Sequence, residues 1–546
     1  MNHVVSRRSL FRMALYAAGS SLLIAPQTAV RAQTRWNAYP FQLGVASGDP
    51  SDDGFVIWTR LAPDPFDTTL LGRLAYEVMF EVAEDPQFKI IRKRGIALAL
   101  PHLAHSVRVE INGLDPGREY YYRFHTGREE SPAGRAVTCP AAGQMEPLRF
   151  AVTSCAHYEQ GFFSAYRHLA ADQPHLVFSL GDYIYEASWG WRKVRSFGND
   201  EARSLTDYRR RYALYRLDPD LQAAHRACPW VLSWDDHEVE NDYSAGLSED
   251  ASCGGTPERE AFVARRAAAY QAFFEHLPIR SSRLRPAGNL QVTGSLNWGD
   301  LARFIVLDNR QFRSPQACAS PATLQSCDMD RRIGLTTGGS ETINPMDPAC
   351  KAELTDPLRT MLGFEQEAWL DREFQSARER WTILTQSLLF SDIRDGTPER
   401  PRVSSDAWGG YPEARRRLLA SASKRQLRNL VVTSGDVHSF WVNEIRGDGN
   451  RSAGTEFVTS SVATQTNHRP GVMNPMNPHV RYHDGTHNGY VRFDLTKDQL
   501  HADIIGVDNI RDPASGCMTL ASFEVTDGVP NVKRVDQASP ISADGK

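Results

Sequence analysis

The chain has 546 residues, more than one hydrophobic core usually organises, so two domains are expected. Hydrophobic residues make up 41% and charged residues 23%, ordinary for a soluble globular protein. A formal net charge of -4 carries no basic footprint and argues against sequence-specific nucleic-acid binding.

Residues 1–32 read as a targeting segment. Ser6-Arg7-Arg8-Ser9-Leu10-Phe11-Arg12 is a basic region with twin arginines. Met13 to Ala25 is a mildly apolar run too short to span a bilayer, and Val30-Arg31-Ala32 offers small residues for cleavage. The pattern is similar to a twin-arginine export signal. That resemblance implies handling by the twin-arginine translocase, metal loading before export, and a periplasmic or secreted destination. No other stretch is long and apolar enough for a transmembrane helix. Disulfides are allowed in that compartment. Of the eight cysteines, Cys318, Cys327 and Cys350 share one Pro/Thr/Ser/Gly-rich insertion and are expected to be bridged, with connectivity open.

Residues 41–140 read as a smaller all-β domain. Phe55-Val56-Ile57-Trp58-Thr59 is a β-rich run, and Val107, Val109 and Ile111 alternate with polar neighbours. The turn Leu114-Asp115-Pro116-Gly117 precedes Tyr120-Tyr121-Tyr122-Arg123-Phe124, which resembles a fibronectin/immunoglobulin-type sandwich with a tyrosine corner. It holds no catalytic cluster. Residues 147–527 alternate short apolar runs with helical stretches such as Tyr208 to Ala224 and Glu365 to Ala377, so an α/β domain is expected. Residues 528–546 read as a tail. The segment 314–360 is loop-like and long enough to form a lid or rim.

Five apolar runs in the second domain end in groups able to bind metal. Leu148 to Thr153 ends at Ser154-Cys155, and His175 to Leu180 at Gly181-Asp182. Trp230 to Trp234 ends at Asp235-Asp236-His237, Trp381 to Thr385 at Gln386, and Asn429 to Thr433 at Ser434-Gly435-Asp436-Val437-His438. Ligands in α/β sheets sit outside the carboxyl ends of strands, so these groups should converge on one rim. Singly, each has a plainer reading: Cys155 as a small buried hydrophobe, Asp182 as a turn cap, Tyr185 as core, Asp235 as a supporting residue. Five together are hard to explain as solvated loop polarity.

Cys155, Gly181-Asp182-Tyr183-Ile184-Tyr185, Trp234-Asp235-Asp236-His237-Glu238 and Ser434-Gly435-Asp436-Val437-His438 together resemble the alkaline phosphatase D (PhoD-like) family of the calcineurin-like metallophosphoesterases. Val45-Ala46-Ser47-Gly48-Asp49-Pro50 and Trp58-Thr59-Arg60 look like the start of that family's N-terminal β-sandwich. The resemblance implies an α/β catalytic domain, a double β-sheet sandwich flanked by helices. It also implies hydrolysis of phosphate monoesters, extending to diesters, by metal-activated water or hydroxide.

By analogy with the related purple acid phosphatases, which share Gly-Asp-x-x-Tyr, Asp182 bridges two metals. Cys155, Tyr185 and His438 complete a ferric iron site, and Asp236, Gln386 and Asp436 line a second. Thiolate, phenolate and imidazole suit a transition metal, and oxygen-only donors suit calcium. Fe3+ and Ca2+ are the expected cofactors. His237 stands where the family places a histidine near the phosphoryl group, able to stabilise charge or protonate the leaving oxygen. Asp235 and Asn241 are candidates for supporting the ligands or holding a further metal. Arg310 and Arg313 are candidates for phosphate contact or for surface salt bridges. Rival readings are a phosphodiesterase or phospholipase D-like enzyme on lipid or polymer diesters, an exported non-catalytic binding protein, and a redox metalloprotein.

Overall fold

Runs rich in Val, Ile, Phe and Tyr form four sheets among the described residues. The computed structural model describes residues 35–535 apart from 68, 249–255, 319–341, 448, 450 and 470. The leader, Cys253, Cys327 and the end of the tail lie outside the described residues.

The strands Tyr76–Ala83, Ile91–Ala99, Glu119–Thr126, Glu129–Glu130 and Gly134–Val137 make an antiparallel five-stranded sheet. Val78, Val82, Tyr120, Tyr122 and Phe124 pack from it onto Val45, Phe55, Ile57 and Val107 of the strands Val45–Ser51, Gly54–Arg60 and Ser106–Ile111. This is the expected N-terminal β-sandwich. Its tyrosine corner is present: the Tyr120 hydroxyl accepts from the Asp115 backbone N–H at 3.0 Å. The sandwich does not stand apart, however. Val45–Ser51 pairs in parallel with Pro229–Leu232, so one of its layers continues into a ten-stranded sheet of the second domain. Arg283 adds a two-pronged pair to Asp49, at 2.7 and 2.8 Å.

In the ten-stranded sheet Leu148–Thr153, Leu176–Ser179 and Pro229–Leu232 run parallel. In a seven-stranded sheet Ala302–Val306, Trp381–Thr385, Leu430–Ser434 and Ser452–Val458 run parallel. The two sheets face each other across a core of aromatic rings. Phe178 stacks on Phe304 at 4.5 Å between centroids, and Phe150, stacked on its sheet neighbour Phe493 at 4.6 Å, meets Phe304 edge-on at 5.1 Å. All four rings are buried, and each contributes about 1.5–3 kcal/mol of transfer free energy.

Helices cover the outer faces. Ser164–Ala171, Leu205–Arg216, Pro219–Ala227 and Thr256–His276 pack on the first sheet, and Phe364–Ser376 with Pro412–Lys424 on the second. The single helix expected over Tyr208 to Ala224 is two. Pro219 has no N–H to continue the ladder, and the Asp218 side chain accepts from the N–H groups of Asp220 and Leu221 to start the second helix. The insertion read as loop contains the helix Pro348–Leu354, tied by a Cys318–Cys350 disulfide. No helix among the described residues is long and apolar enough to cross a membrane.

Candidate metal centre

All five strand ends singled out in the sequence lie at the carboxyl edges of parallel strands, three in one sheet and two in the other. The turns that follow are strained in a shared way. Cys155, Asp182, Asp436 and His438 have φ of 59°, 53°, 67° and 51°, a left-handed conformation that costs a non-glycine residue about 1–2 kcal/mol. Hydrogen bonds to the carbonyls of three of them hold the turns: Ala156 N–H to Asp182 O at 2.9 Å, Thr464 Oγ1 to Cys155 O at 2.8 Å, and Asn467 N–H to His438 O at 3.0 Å. Gly181, at φ 118°, lets two of these turns touch, since a Cβ there would lie 2.2 Å from the Asp235 backbone nitrogen.

Two sets of donors result. Ligand atoms of Cys155, Asp182 and His438 lie within 4.8 Å of one another, as do those of Asp182, Asp236 and His237. Asp182 belongs to both. The buried Tyr185 hydroxyl donates to Asp182 Oδ2 at 2.8 Å and lies 3.3 Å from His438 Nε2. Asp436 stands beside them, its Oδ1 4.0 Å from Arg310 Nη2.

The electrostatics ask for a cation. Burial, then Asp182, pushes both the Cys155 thiol and the Tyr185 phenol well above their usual ranges. Burial also raises Asp182, with Asp236 and Asp235 reinforcing it against His237. His438 is held down to about 3 by burial and then by His237, which leaves the neutral imidazole that ligates metal. Thiol, phenol and carboxylic acid crowd one dry spot, each disfavoured as an anion. A bound cation relieves all three together, so the residues present fit a metal.

His237 is held from behind. Its Nδ1 is 2.7 Å from Glu186 Oε2, and its ring lies 4.2 Å from that of Tyr185. Burial lowers its proton affinity, but Glu186, Asp236 and Asp182 outweigh that and the net direction is up. Glu186 was not picked out in the sequence. Glu238 closes the Trp234-to-Glu238 motif but was given no role; its buried carboxylate accepts from the backbone N–H groups of Asp182 at 3.1 Å, Tyr183 at 2.6 Å and Asp235 at 2.8 Å. Glu238 thereby clamps the Asp182 turn to the Asp235 turn. Glu186 directly follows the motif residue Tyr185, and Glu238 stands inside its motif; those positions were the available signal.

Three expectations need correction. Gln386 does not join the donors: its Oε1 accepts from Leu388 N–H and Trp408 Nε1, and its Nε2 donates to Ser434 Oγ and Leu388 O. The side chain turns back between strands, where Ser434 passes the chain of bonds to the buried Glu456. Arg313 is fully buried and bonds Ser244, Asp406 and Asp242, so it offers phosphate no free edge and makes no surface salt bridge. Arg310 is also fully buried. It pairs with Asp235 and, at 2.8 Å, with Asp406, and its Nη2 lies 3.4 Å from Asp236. Its guanidinium, so placed, counters a cluster of buried carboxylates, Asp235 among them. Asn241 enters through its backbone, whose N–H donates to Glu186 Oε1 at 3.1 Å.

A two-sheet sandwich presenting thiol, phenol, carboxylate and imidazole at one rim defines a metal-dependent hydrolase class. The family description "PhoD-like phosphatase" matches residues 150–504, and its N-terminal domain matches residues 26–140. The chain is 40% identical over 544 residues to alkaline phosphatase D of Bacillus subtilis (strain 168), covering 96% of this chain and 88% of that protein. A solved structure described as PhoD superposes with a TM-score of 0.84 at 38% identity, covering 93% of this chain and 94% of the other. A purple acid phosphatase from yellow lupin seeds (Lupinus luteus) shares the fold, with a TM-score of 0.52 at 12% identity, covering 88% and 74%. The chain belongs to the PhoD-like phosphatase family and is a metal-dependent phosphoric ester hydrolase.

Proposed function

We propose that the chain is an exported alkaline phosphatase that hydrolyses phosphate monoesters, and diesters that fit the same rim, at a two-metal centre. Cys155, Tyr185 and His438 with Asp182 hold ferric iron. Asp182, Asp236 and Asp436 hold calcium. The observation that carries this reading is the membership of Asp182 in both donor sets. One set adds a thiol and an imidazole to Asp182, with the Tyr185 phenol bonded to it, and this favours a transition metal. The other adds Asp236 and the His237 imidazole, and Asp436, which shares Arg310 Nη2 with Asp236, supplies a further oxygen for a harder cation.

When bound, such a pair neutralises phosphoryl oxygens and lowers the pKa of water. The chain's own residues do the rest. Glu186 takes the Nδ1 proton of His237 in a hydrogen bond and leaves Nε2 to donate to the departing oxygen. Glu238 fixes two ligand turns against each other. Arg310 balances Asp235 and Asp406, which lets Asp236 stay ionised beside Asp182: burial opposes that ionisation, and Arg310 and His237 outweigh it. The same reading keeps the division into 1–32, 41–140, 147–527 and 528–546, with the twin arginines Arg7 and Arg8 directing export.

Elemental analysis of the folded, exported protein, with turnover of a chromogenic monoester and diester on the same sample, tests the proposal. Iron and calcium with monoester turnover are expected. A fully active protein containing only zinc would overturn the metal assignment.

A further inference from the structure

We propose that Trp191 and Arg192 form a subsite at the mouth of the centre that favours phosphate esters whose leaving group carries a planar ring. This rests on the phosphatase reading above. Trp191 is 72% exposed, and among the described residues it is the one exposed tryptophan. Tryptophan is enriched at binding surfaces, where its indole offers a large apolar face with a polar edge.

The place of this one is fixed by the metal centre. Trp189 lies flat against His438, with ring centroids 6.1 Å apart and planes 11° apart, and 6.0 Å from the Tyr185 ring. Gly190 follows at φ 80°, a conformation that favours glycine, and a Cβ there would push on Gln160 Nε2 at 2.7 Å and Gln465 Oε1 at 2.9 Å. Those two side chains anchor the turn. Gln160 Nε2 donates to Trp189 O at 3.1 Å and its Oε1 accepts from Gln465 N–H at 2.7 Å. Gln465 Oε1 accepts from Trp191 N–H at 3.3 Å. Gln465 in turn follows Thr464, which bonds both Cys155 O and the Tyr185 hydroxyl. One tryptophan therefore backs a candidate metal donor, and the next, two residues on, is exposed.

Arg192 completes the surface. Its guanidinium lies over one face of the Trp191 indole, 4.0 Å from the ring centroid, and the residue is itself exposed. A planar ring of the leaving group would stack on the opposite face. A cation at that point also attracts an anionic ester toward the centre. Stacking is indifferent to the identity of the ring, so the subsite selects planar leaving groups as a class.

The test compares adenosine 5′-monophosphate with glycerol 3-phosphate on the metal-loaded full chain, since both release an alkyl oxygen and differ in the ring. Trp191→Ala should raise KM for the nucleotide about tenfold, with kcat within about twofold and glycerol phosphate kinetics unchanged. Trp191→Phe should restore most of the loss. Free adenosine should compete with substrate in the wild type and not in Trp191→Ala. Equal changes for both esters, or no change for the nucleotide, would overturn the subsite. Failure of the loaded wild type to hydrolyse either ester would overturn the phosphatase reading, and the subsite with it.

Discussion

Glu186→Gln should separate proton donation from metal binding. The carboxylate is 3% exposed, accepts from Asn241 N–H at 3.1 Å through one oxygen and meets His237 Nδ1 at 2.7 Å through the other. An amide keeps the shape but offers one acceptor, so one of the two bonds is lost and the charge that favours the imidazolium disappears. A hydrogen bond to a charged group contributes about 1.5–3 kcal/mol. At 1.36 kcal/mol per tenfold, kcat should fall by about 10- to 150-fold for an alkyl monoester, whose leaving oxygen needs a proton. For 4-nitrophenyl phosphate, whose leaving group departs as a stable anion, the loss should be only a few-fold. Metal content should match the wild type. Steady-state kinetics on the two esters, with elemental analysis of the same preparation, give the answer. Equal losses on both esters would refute the assignment of His237 as proton donor.

If iron sits at Cys155, Tyr185 and His438, the purified protein should be coloured by a thiolate or phenolate charge-transfer band, and Tyr185→Phe should shift or remove it in the visible spectrum. Chelation of calcium should abolish turnover and added calcium should restore it. Strong activity at micromolar free calcium would count against oxygen ligation by Asp182, Asp236 and Asp436. Arg7→Lys with Arg8→Lys should leave precursor in the cytoplasm on cell fractionation, and unchanged export would mean another route.

The strand ends were legible because a buried parallel strand is a short apolar run, and because chemistry in such sheets sits at the carboxyl ends. That pattern brought Cys155, Asp182, Asp236 and His438 to one rim, while their division into two ligand sets came from the family resemblance. Gln386 misled for the same reason. It follows a strand as the others do, but its side chain turns inward to Ser434 and Trp408, and nothing in a linear pattern records that rotation. Arg310 and Arg313 misled because long charged side chains are usually exposed, and here the carboxylates that bury them come from sequence segments as distant as Asp235 and Asp406. Glu186 and Glu238 were hidden in plain view, since what they grip is backbone and a ring that fold onto them. The helix break at Pro219 is readable in the sequence, since proline cannot donate within a helix and favours its first turn.

Asp182→Asn tests the central claim most directly. An amide has one acceptor oxygen and a neutral nitrogen that cannot replace the second. Volume hardly changes, so the secondary structure should survive. Turnover should fall at least about a hundred-fold, roughly 3 kcal/mol in the barrier. Both metals should be depleted together, whereas Asp436→Asn should deplete mainly one. An Asp182→Asn protein that keeps both metals and more than about a tenth of wild-type turnover would show that Asp182 does not bridge, and would contradict the account.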